Sequence, residues 1–388
     1  MQATRDINGT PSPAFPLRIL NLASHSTCRR GGAIQMSLLA AWLNRNGHTA
    51  YCMFNSPPEV ERNKAEEDLR HFCENAGEAC FIPMHPFWAG YRALRDFIRE
   101  KKIDIVHAHR EEALIFAFFC RLFGAFRAPL VFQRGTEYRI RKFSPSYFAL
   151  KSGFVKKIIA VSQAVKNSLV KCGINPAKVE VIYGGVDLKR FSPDVSGSPI
   201  LKFLGFPPGA FVFGNIASLA PKKGYDIFFK AAAQVSAKIP GAYFLVAGDG
   251  PFQKFIPLLG ELGIREKVKF LGFRRDIENV IAALHVLVCS PTKGEGLTGA
   301  IREGLAMKKP VIATDVAGNG EFIIHDRTGL LVEPGSVDAL AGAMIQSYND
   351  YERMIHMAES GYRMVCREAD NDIRCRRVVN LYREALGI

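Results

Sequence analysis

Short apolar runs alternate along the chain with segments whose apolar positions recur every three or four residues, the mark of strands followed by helices. Residues 17–23 (LRILNLA) form an apolar run that ends in a polar, glycine-containing turn over 24–32. Residues 33–46 then set Ile34, Leu38, Leu39, Trp42 and Leu43 at helical spacing. Gly47 stops that helix, and 49–54 reads as the next strand. Further strands are predicted over 103–107, 130–133 and 157–161, with helices over 91–101 and 162–172. The Pro-, Ser- and Gly-rich stretch 192–208 reads as a linker. A second series follows, with strands over 210–219, 242–247, 268–271, 285–290 and 311–314 and helices over 225–236 and 297–307. Ser336 is placed to cap a helix that uses Leu340, Met344, Ile345 and Tyr348, and a mixed basic and apolar helix over 371–386 closes the chain. This alternation predicts an α/β protein of two doubly wound parallel-sheet domains. The expected divisions are an N-terminal arm (1–16), a first domain (17–190), a second (191–370) and a last helix (371–388) packing back on the first, with the cleft between domains as the ligand site.

The length of 388 residues agrees with two cores rather than one. The longest apolar run, 113–120, is stopped by Arg121, well short of the roughly 18 residues that span a bilayer. Residues 1–16 lack the apolar stretch of a secretory signal, and the nine cysteines are odd in number with no C-x-x-C pair, so a cytoplasmic chain with reduced thiols is expected. The net charge of +14 is lopsided. Residues 1–190 hold 28 Lys/Arg against 16 Asp/Glu and residues 191–388 hold 23 against 21, an excess of +12 and +2. The first half therefore expects an anionic partner.

Two glycine-bearing segments carry candidate chemistry. Cys28-Arg29-Arg30-Gly31-Gly32 joins the first strand to the first helix, where glycines allow a phosphate close to the backbone and the helix start offers N–H groups. It lacks the G-x-G-x-x-G spacing of dinucleotide binders, which disfavours a nicotinamide oxidoreductase. The second segment, 293–306, places Glu295 and Glu303 eight residues apart around Gly296, Leu297, Thr298 and Gly299. On one helix they would lie about 12 Å apart and out of phase. Glu295 is better placed on a loop and Glu303 on the helix it feeds.

This Glu-x7-Glu segment resembles the signature of retaining glycosyltransferases of family four, the group 1 transferases. The likeness spans roughly residues 17–365 and includes Gly31-Gly32, Gly47-His48, residues 104–109, Val161-Ser162, Gly185-Val186-Asp187, Pro221-Lys222-Lys223-Gly224, Gly248-Asp249-Gly250-Pro251 and Phe270-Leu271-Gly272. It implies a GT-B fold, two Rossmann-like domains facing a cleft, and transfer from a nucleotide-diphospho-sugar to an acceptor hydroxyl with retention. By that resemblance Glu295 holds donor-sugar hydroxyls, Glu303 the ribose, and Leu297, Thr298 and Gly299 offer amides to the diphosphate. Lys223 matches the diphosphate lysine and His109 the histidine beside the donor sugar. No cofactor and no essential metal are expected; Asp370-Asn371-Asp372, a D-x-D of the kind that binds metal in another fold, lies away from any strand end.

The sequence departs from the family where Ser218 replaces an arginine five residues before Lys223. Lys222, Arg29 and Arg30 are the candidate substitute cations, and a catalytically silent protein that binds nucleotide or glycan is the alternative reading. Gly-Leu-Thr also stands where Gly-Phe-Gly is commoner. His107 is assigned to the opposite face of its strand from His109 and a structural role. Residues 134–157 interleave seven Lys/Arg with Tyr138, Phe143, Tyr147, Phe148 and Phe154 against one Glu. Such a segment suits an anionic membrane surface or a lipid-linked acceptor, which places the protein at the inner face of the cell membrane, in lipopolysaccharide or other cell-surface polysaccharide synthesis. No nucleic-acid partner is expected.

Overall fold

Strand β1 (Arg18–Ala23) sends Leu20 and Leu22 into one core and Ile19 and Ala23 into another, so it is buried on both faces, as parallel strands are. The computed structural model describes residues 15–29 and 31–388; the first fourteen residues of the expected arm, and Arg30, lie outside them. The chain divides into two compact units, one running to Gly185 and taking up Asn371–Ile388, the other Val186–Asp370.

In the first unit β1 is followed by α1 (Gly31–Arg45), β2 (Thr49–Asn55), α2 (Arg62–Ala76), β3 (Ala79–Ile82), α3 (Phe87–Lys101), β4 (Ile105–His109), α4 (Glu111–Leu122), β5 (Leu130–Arg134), α5 (Pro145–Lys151), β6 (Val155–Ala160), α6 (Gln163–Lys171) and β7 (Val179–Val181). All seven strands are parallel, in the order β3-β2-β1-β4-β5-β6-β7. The chain winds outward from β1, then returns to lay β4 against β1's free side. Loops therefore diverge at the C-terminal ends of β1 and β4, the place where doubly wound sheets bind ligands.

The second unit holds α7 (Ser198–Leu204), β8 (Phe211–Ile216), α8 (Tyr225–Lys238), β9 (Ala242–Ala247), α9 (Ile256–Glu261), β10 (Val268–Gly272), α10 (Ile277–Ala282), β11 (Val286–Cys289), α11 (Gly299–Ala306), β12 (Val311–Thr314), β13 (Leu330–Val332), α12 (Val337–Asn349) and α13 (Tyr351–Glu368). Its parallel sheet runs β10-β9-β8-β11-β12-β13, with the equivalent switch between β8 and β11. The last helix, α14 (Asn371–Leu386), buries Cys375, Val378, Leu381 and Tyr382 in the first unit's core with Ile19, Leu39 and Ile105.

The observed boundary lies five residues before the expected one. Arg190 pairs with Glu278 at 2.8 Å and the Phe191 N–H donates to Asp187 O, which ties 187–191 to the second unit. The stretch read as a linker also contains α7, packed where an ideal Cβ on Gly197 would lie 2.2 Å from Ala283 N. Helices α2, α4, α5, α9, α10 and α13 and strands β3, β7 and β13 were not anticipated.

Candidate active site

In the second unit the site is built on the C-terminal ends of β8 and β11. Asn215, on β8, donates to Ser290 Oγ (3.0 Å), and Ser290 Oγ donates to the carbonyls of Lys223 (3.1 Å) and Gly224 (3.3 Å). The Thr292 N–H donates to Lys222 O (2.9 Å), so the lysine turn is bolted to the strand end. Gly224 makes this possible: its φ is +66°, and an ideal Cβ would sit 2.1 Å from Ser290 O.

The turn brings both ammonium groups to one carboxylate. Lys223 Nζ lies 3.0 Å and Lys222 Nζ 3.2 Å from Glu295 Oε1, and Lys222 Nζ also donates to Gly294 O (2.9 Å). Two cations on one anion leave a net positive charge beside the start of α11, where the helix dipole adds to it. Thr298 occupies the N-cap position but its side chain makes no capping bond, and its hydroxyl is buried without a hydrogen-bond partner among the described residues. The Thr298 N–H donates instead to Asn319 Oδ1 (3.1 Å), whose amide donates to Thr314 O (3.1 Å). The Thr298 amide, one of the three expected to face a diphosphate, is thus engaged by Asn319, and the contact pins the loop that carries Leu297 and Gly299.

Glu303 folds back along α11, its Oε1 reaching 3.9 Å from an ideal Cβ on Gly299. Burial pushes its carboxyl above the usual range, with Arg302 and Arg190 opposing that and Glu278 adding to it. Glu295 and Glu303 thus flank the first turn of α11, one from the loop and one from the helix. Lys223, Thr298, Cys289, Ser290 and Ala217 line a small pocket there. Ser218 is exposed on the loop after β8, which runs against Gly248, whose ideal Cβ would lie 1.8 Å from Ala217 O. Asp249 O accepts from the Leu219 N–H (2.8 Å), a turn role. Lys254, which sequence reasoning missed, donates to Leu219 O (2.9 Å), next to Ser218.

The first unit's candidates lie at its own switch point. Gly31 and Gly32 open α1; an ideal Cβ on Gly31 meets nothing within 4 Å, and one on Gly32 would lie 3.3 Å from His25 Cε1. Arg29 pairs with Asp68 of α2 at 2.7 Å, and that carboxylate is 2% exposed. In this structure its charge is paired with that carboxylate.

His109 ends β4, buried, with Nε2 3.1 Å from Asn21 Oδ1. His107 is not on the opposite face. Residues two apart on a strand share a face, and the two rings pack against each other with centroids 4.1 Å apart and planes tilted by 35°. His107 Nδ1 meets the Tyr382 hydroxyl of α14 at 2.7 Å. Burial, then the Arg374 guanidinium, depress His107 to about 3; burial, His107, Arg374 and His25 hold His109 well below its ordinary value. Asn21 was legible as a lone amide in an apolar strand; Tyr382 and Arg374, over 260 positions away, carried no local signal.

The basic, aromatic segment divides. Arg134 is buried, pairs with Glu111 (3.2 Å) and packs over the Tyr138 ring, while Tyr147 and Phe154 lie against the core. Phe143 (79%), Phe148 (51%) and Tyr138 (49%) are exposed, as are Arg139, Arg141, Lys142, Lys151 and Lys156. Among the described residues no helix is long and apolar enough to cross a membrane, and no three His, Cys, Asp or Glu side chains gather as a metal site.

Comparison with known proteins follows the same division into halves. The family model described as Glycosyltransferase Family 4 matches residues 29–190, and that described as Glycosyl transferases group 1 matches residues 210–350. The chain is 25% identical over 272 residues to the UDP-Gal:alpha-D-GlcNAc-diphosphoundecaprenol alpha-1,3-galactosyltransferase of Escherichia coli, covering 66% of this chain and 70% of that protein. It is 33% identical over 212 residues to a GDP-mannose-dependent monoacylated alpha-(1-6)-phosphatidylinositol monomannoside mannosyltransferase of Corynebacterium glutamicum, covering 52% of this chain and 55% of the relative. Among solved structures it resembles Anabaena HepE in complex with UDP and glucose, with a TM-score of 0.78 at 23% identity over 94% of this chain and 98% of that one, a likeness of fold. With both halves of the family matched in order on two Rossmann-like units, the chain belongs to the group 1, family 4 glycosyltransferases.

Proposed function

We propose that the protein transfers a sugar from a nucleotide-diphospho-sugar to a hydroxyl of a glycan or lipid-linked acceptor, with retention at the anomeric carbon, in lipopolysaccharide or other cell-surface polysaccharide synthesis. The observation that carries this reading is the convergence of Lys222 and Lys223 on Glu295 beside the start of α11. An arriving diphosphate draws the two ammonium groups away from Glu295, and the released carboxylate accepts hydroxyls of the donor sugar. Lys223 and the helix start then stabilise the charge that grows on the diphosphate as the glycosidic bond breaks. Glu303 receives the ribose hydroxyls, and Leu297 and Gly299 contribute amides. His109 is the first unit's candidate contact for a substrate hydroxyl. The fixed cations do the electrostatic work that a divalent ion does elsewhere, so no essential metal and no cofactor are required.

The acceptors named for the E. coli and C. glutamicum relatives are both lipid-linked, which supports an acceptor of that class here. Exposed Phe143, Phe148 and Tyr138 amid Arg139, Arg141, Lys142 and Lys151 suit the anionic inner face of the cell membrane. A catalytically silent, nucleotide-binding protein is the second reading, favoured by Ser218. The test is incubation with UDP-, GDP- and ADP-sugars and membrane extract, with and without EDTA, followed by NMR of the product's anomeric proton. One donor giving an EDTA-insensitive product of unchanged anomeric configuration is expected; an inverted product overturns retention, and EDTA-sensitivity overturns metal independence.

A further inference from the structure

Arg374 lies in the first turn of α14, is 2% exposed, and holds a charge that a guanidinium does not give up. Its Nη1 donates to Asn371 Oδ1 (3.3 Å), while Nη2 is buried without a hydrogen-bond partner among the described residues. A buried cation so sparsely bonded is costly to keep. Its charge acts on the imidazoles of His107 and His109, whose rings pack 4.1 Å apart, and two turns along the same helix Tyr382 bonds His107 Nδ1.

The proton of His109 can be located from these contacts. Asn21 Nδ2 points at Tyr51 O (3.5 Å), which turns its Oδ1 towards His109 Nε2. A carbonyl oxygen accepts, so Nε2 carries the hydrogen and Nδ1 is a bare acceptor. That Nδ1 is buried and unpartnered among the described residues. Protonating either ring would put a second positive charge beside Arg374, with His25 a third titratable neighbour of His109.

We propose that Arg374 and Tyr382 are positioning residues for His109: Tyr382 fixes His107, His107 holds the ring of His109 by packing against it, and the guanidinium opposes a second charge, so that Nδ1 stays ready to accept a hydrogen bond from a substrate hydroxyl. The returning C-terminal helix is therefore part of the site and not only a clasp on the first unit's core. The substrate contact rests on the role proposed above for His109; the positioning itself does not.

The experiment uses the full chain labelled with 15N-histidine, reading the His109 ring by long-range 1H–15N correlation from about pH 8 to about pH 5. The wild-type ring is expected to stay neutral with its proton on Nε2 throughout. Arg374→Met removes one opposing charge while burial, the larger cause, remains, so the ring should protonate at higher pH than in wild type, whereas Arg374→Lys should leave it as in wild type. Tyr382→Phe should change the His107 tautomer signature and lower kcat on the order of tenfold, with donor KM within about twofold. Wild-type tautomers and titration in folded Tyr382→Phe and Arg374→Met proteins would overturn the proposal. If Arg374→Met does not fold, Tyr382→Phe decides alone: an altered His107 signature sustains the proposal and an unaltered one ends it. His109→Ala with wild-type turnover removes the catalytic reading of His109 while the NMR result still judges the positioning.

Discussion

The two units reach the ends of similar sheets with opposite electrostatics. In the second, the charged groups are Lys222 and Lys223 on a turn and Glu295 on a loop, paired with one another and partly open to water, with Glu303 buried on α11. In the first, the corresponding place is occupied by buried, uncharged imidazoles backed by a guanidinium. On the proposed function, the difference separates two tasks. A site that must receive and release a diphosphate keeps cations that can change partner, and their present partner Glu295 has a use once they leave. A site that orients neutral hydroxyls is better served by rings that hold one protonation state, and burial imposes it.

The largest effect expected from breaking this contrast is at Lys223. Lys223→Ala should lower turnover by roughly 10²–10³-fold, the usual consequence of removing a cation aimed at developing charge, with little change in melting temperature because the side chain ends in the site. Arg29→Ala should do the reverse. It leaves the buried Asp68 carboxylate without this guanidinium, a cost of about 3 kcal/mol readable by denaturant titration, while turnover changes far less.

Acid should distinguish the units as well. His107, depressed to about 3, and His48, depressed to about 4 mainly by burial and then by Arg383, both lie in the first unit. Below the ordinary imidazole value the unfolded chain takes up protons that these folded sites refuse, so stability is present at neutral pH and falls as pH drops from about 6.5 towards 4. His48 Nδ1 accepts the Leu17 N–H (3.1 Å), and His48→Asn should flatten that dependence in thermal melts. The smallest expected effect is Lys222→Ala. Its side chain is 41% exposed and shares Glu295 with Lys223, so a loss of at most about tenfold in kcat/KM is expected by the nucleotide-release assay.

Much of this was legible in the chain. Continuous apolar runs located strands such as Ala242–Ala247 and Val311–Thr314 to the residue, and the switch from loop to helix between Glu295 and Glu303 followed from glycines and from helical phase. The long α13 was equally written, in Met354, Met357, Ala358, Gly361 and Val365, but its charged partners masked the stripe. His107 was misplaced by ignoring that positions 107 and 109 share parity. The Thr298–Asn319, Arg29–Asp68 and His107–Tyr382 contacts join residues 21, 39 and 275 positions apart. Nothing local encodes such pairs; they exist only once the sheets have set which loops and helices meet.

The most direct test of the account is donor-dependent nucleotide release, measured on wild type and on Glu295→Ala with the same UDP-, GDP- and ADP-sugar panel. The account predicts that wild type releases nucleotide from one donor and that Glu295→Ala, still folded and still binding nucleotide, does not. Undiminished release by Glu295→Ala would contradict the role given to the Lys222–Lys223–Glu295 cluster, and nucleotide binding without release by wild type would leave a silent protein with Ser218 as the reason.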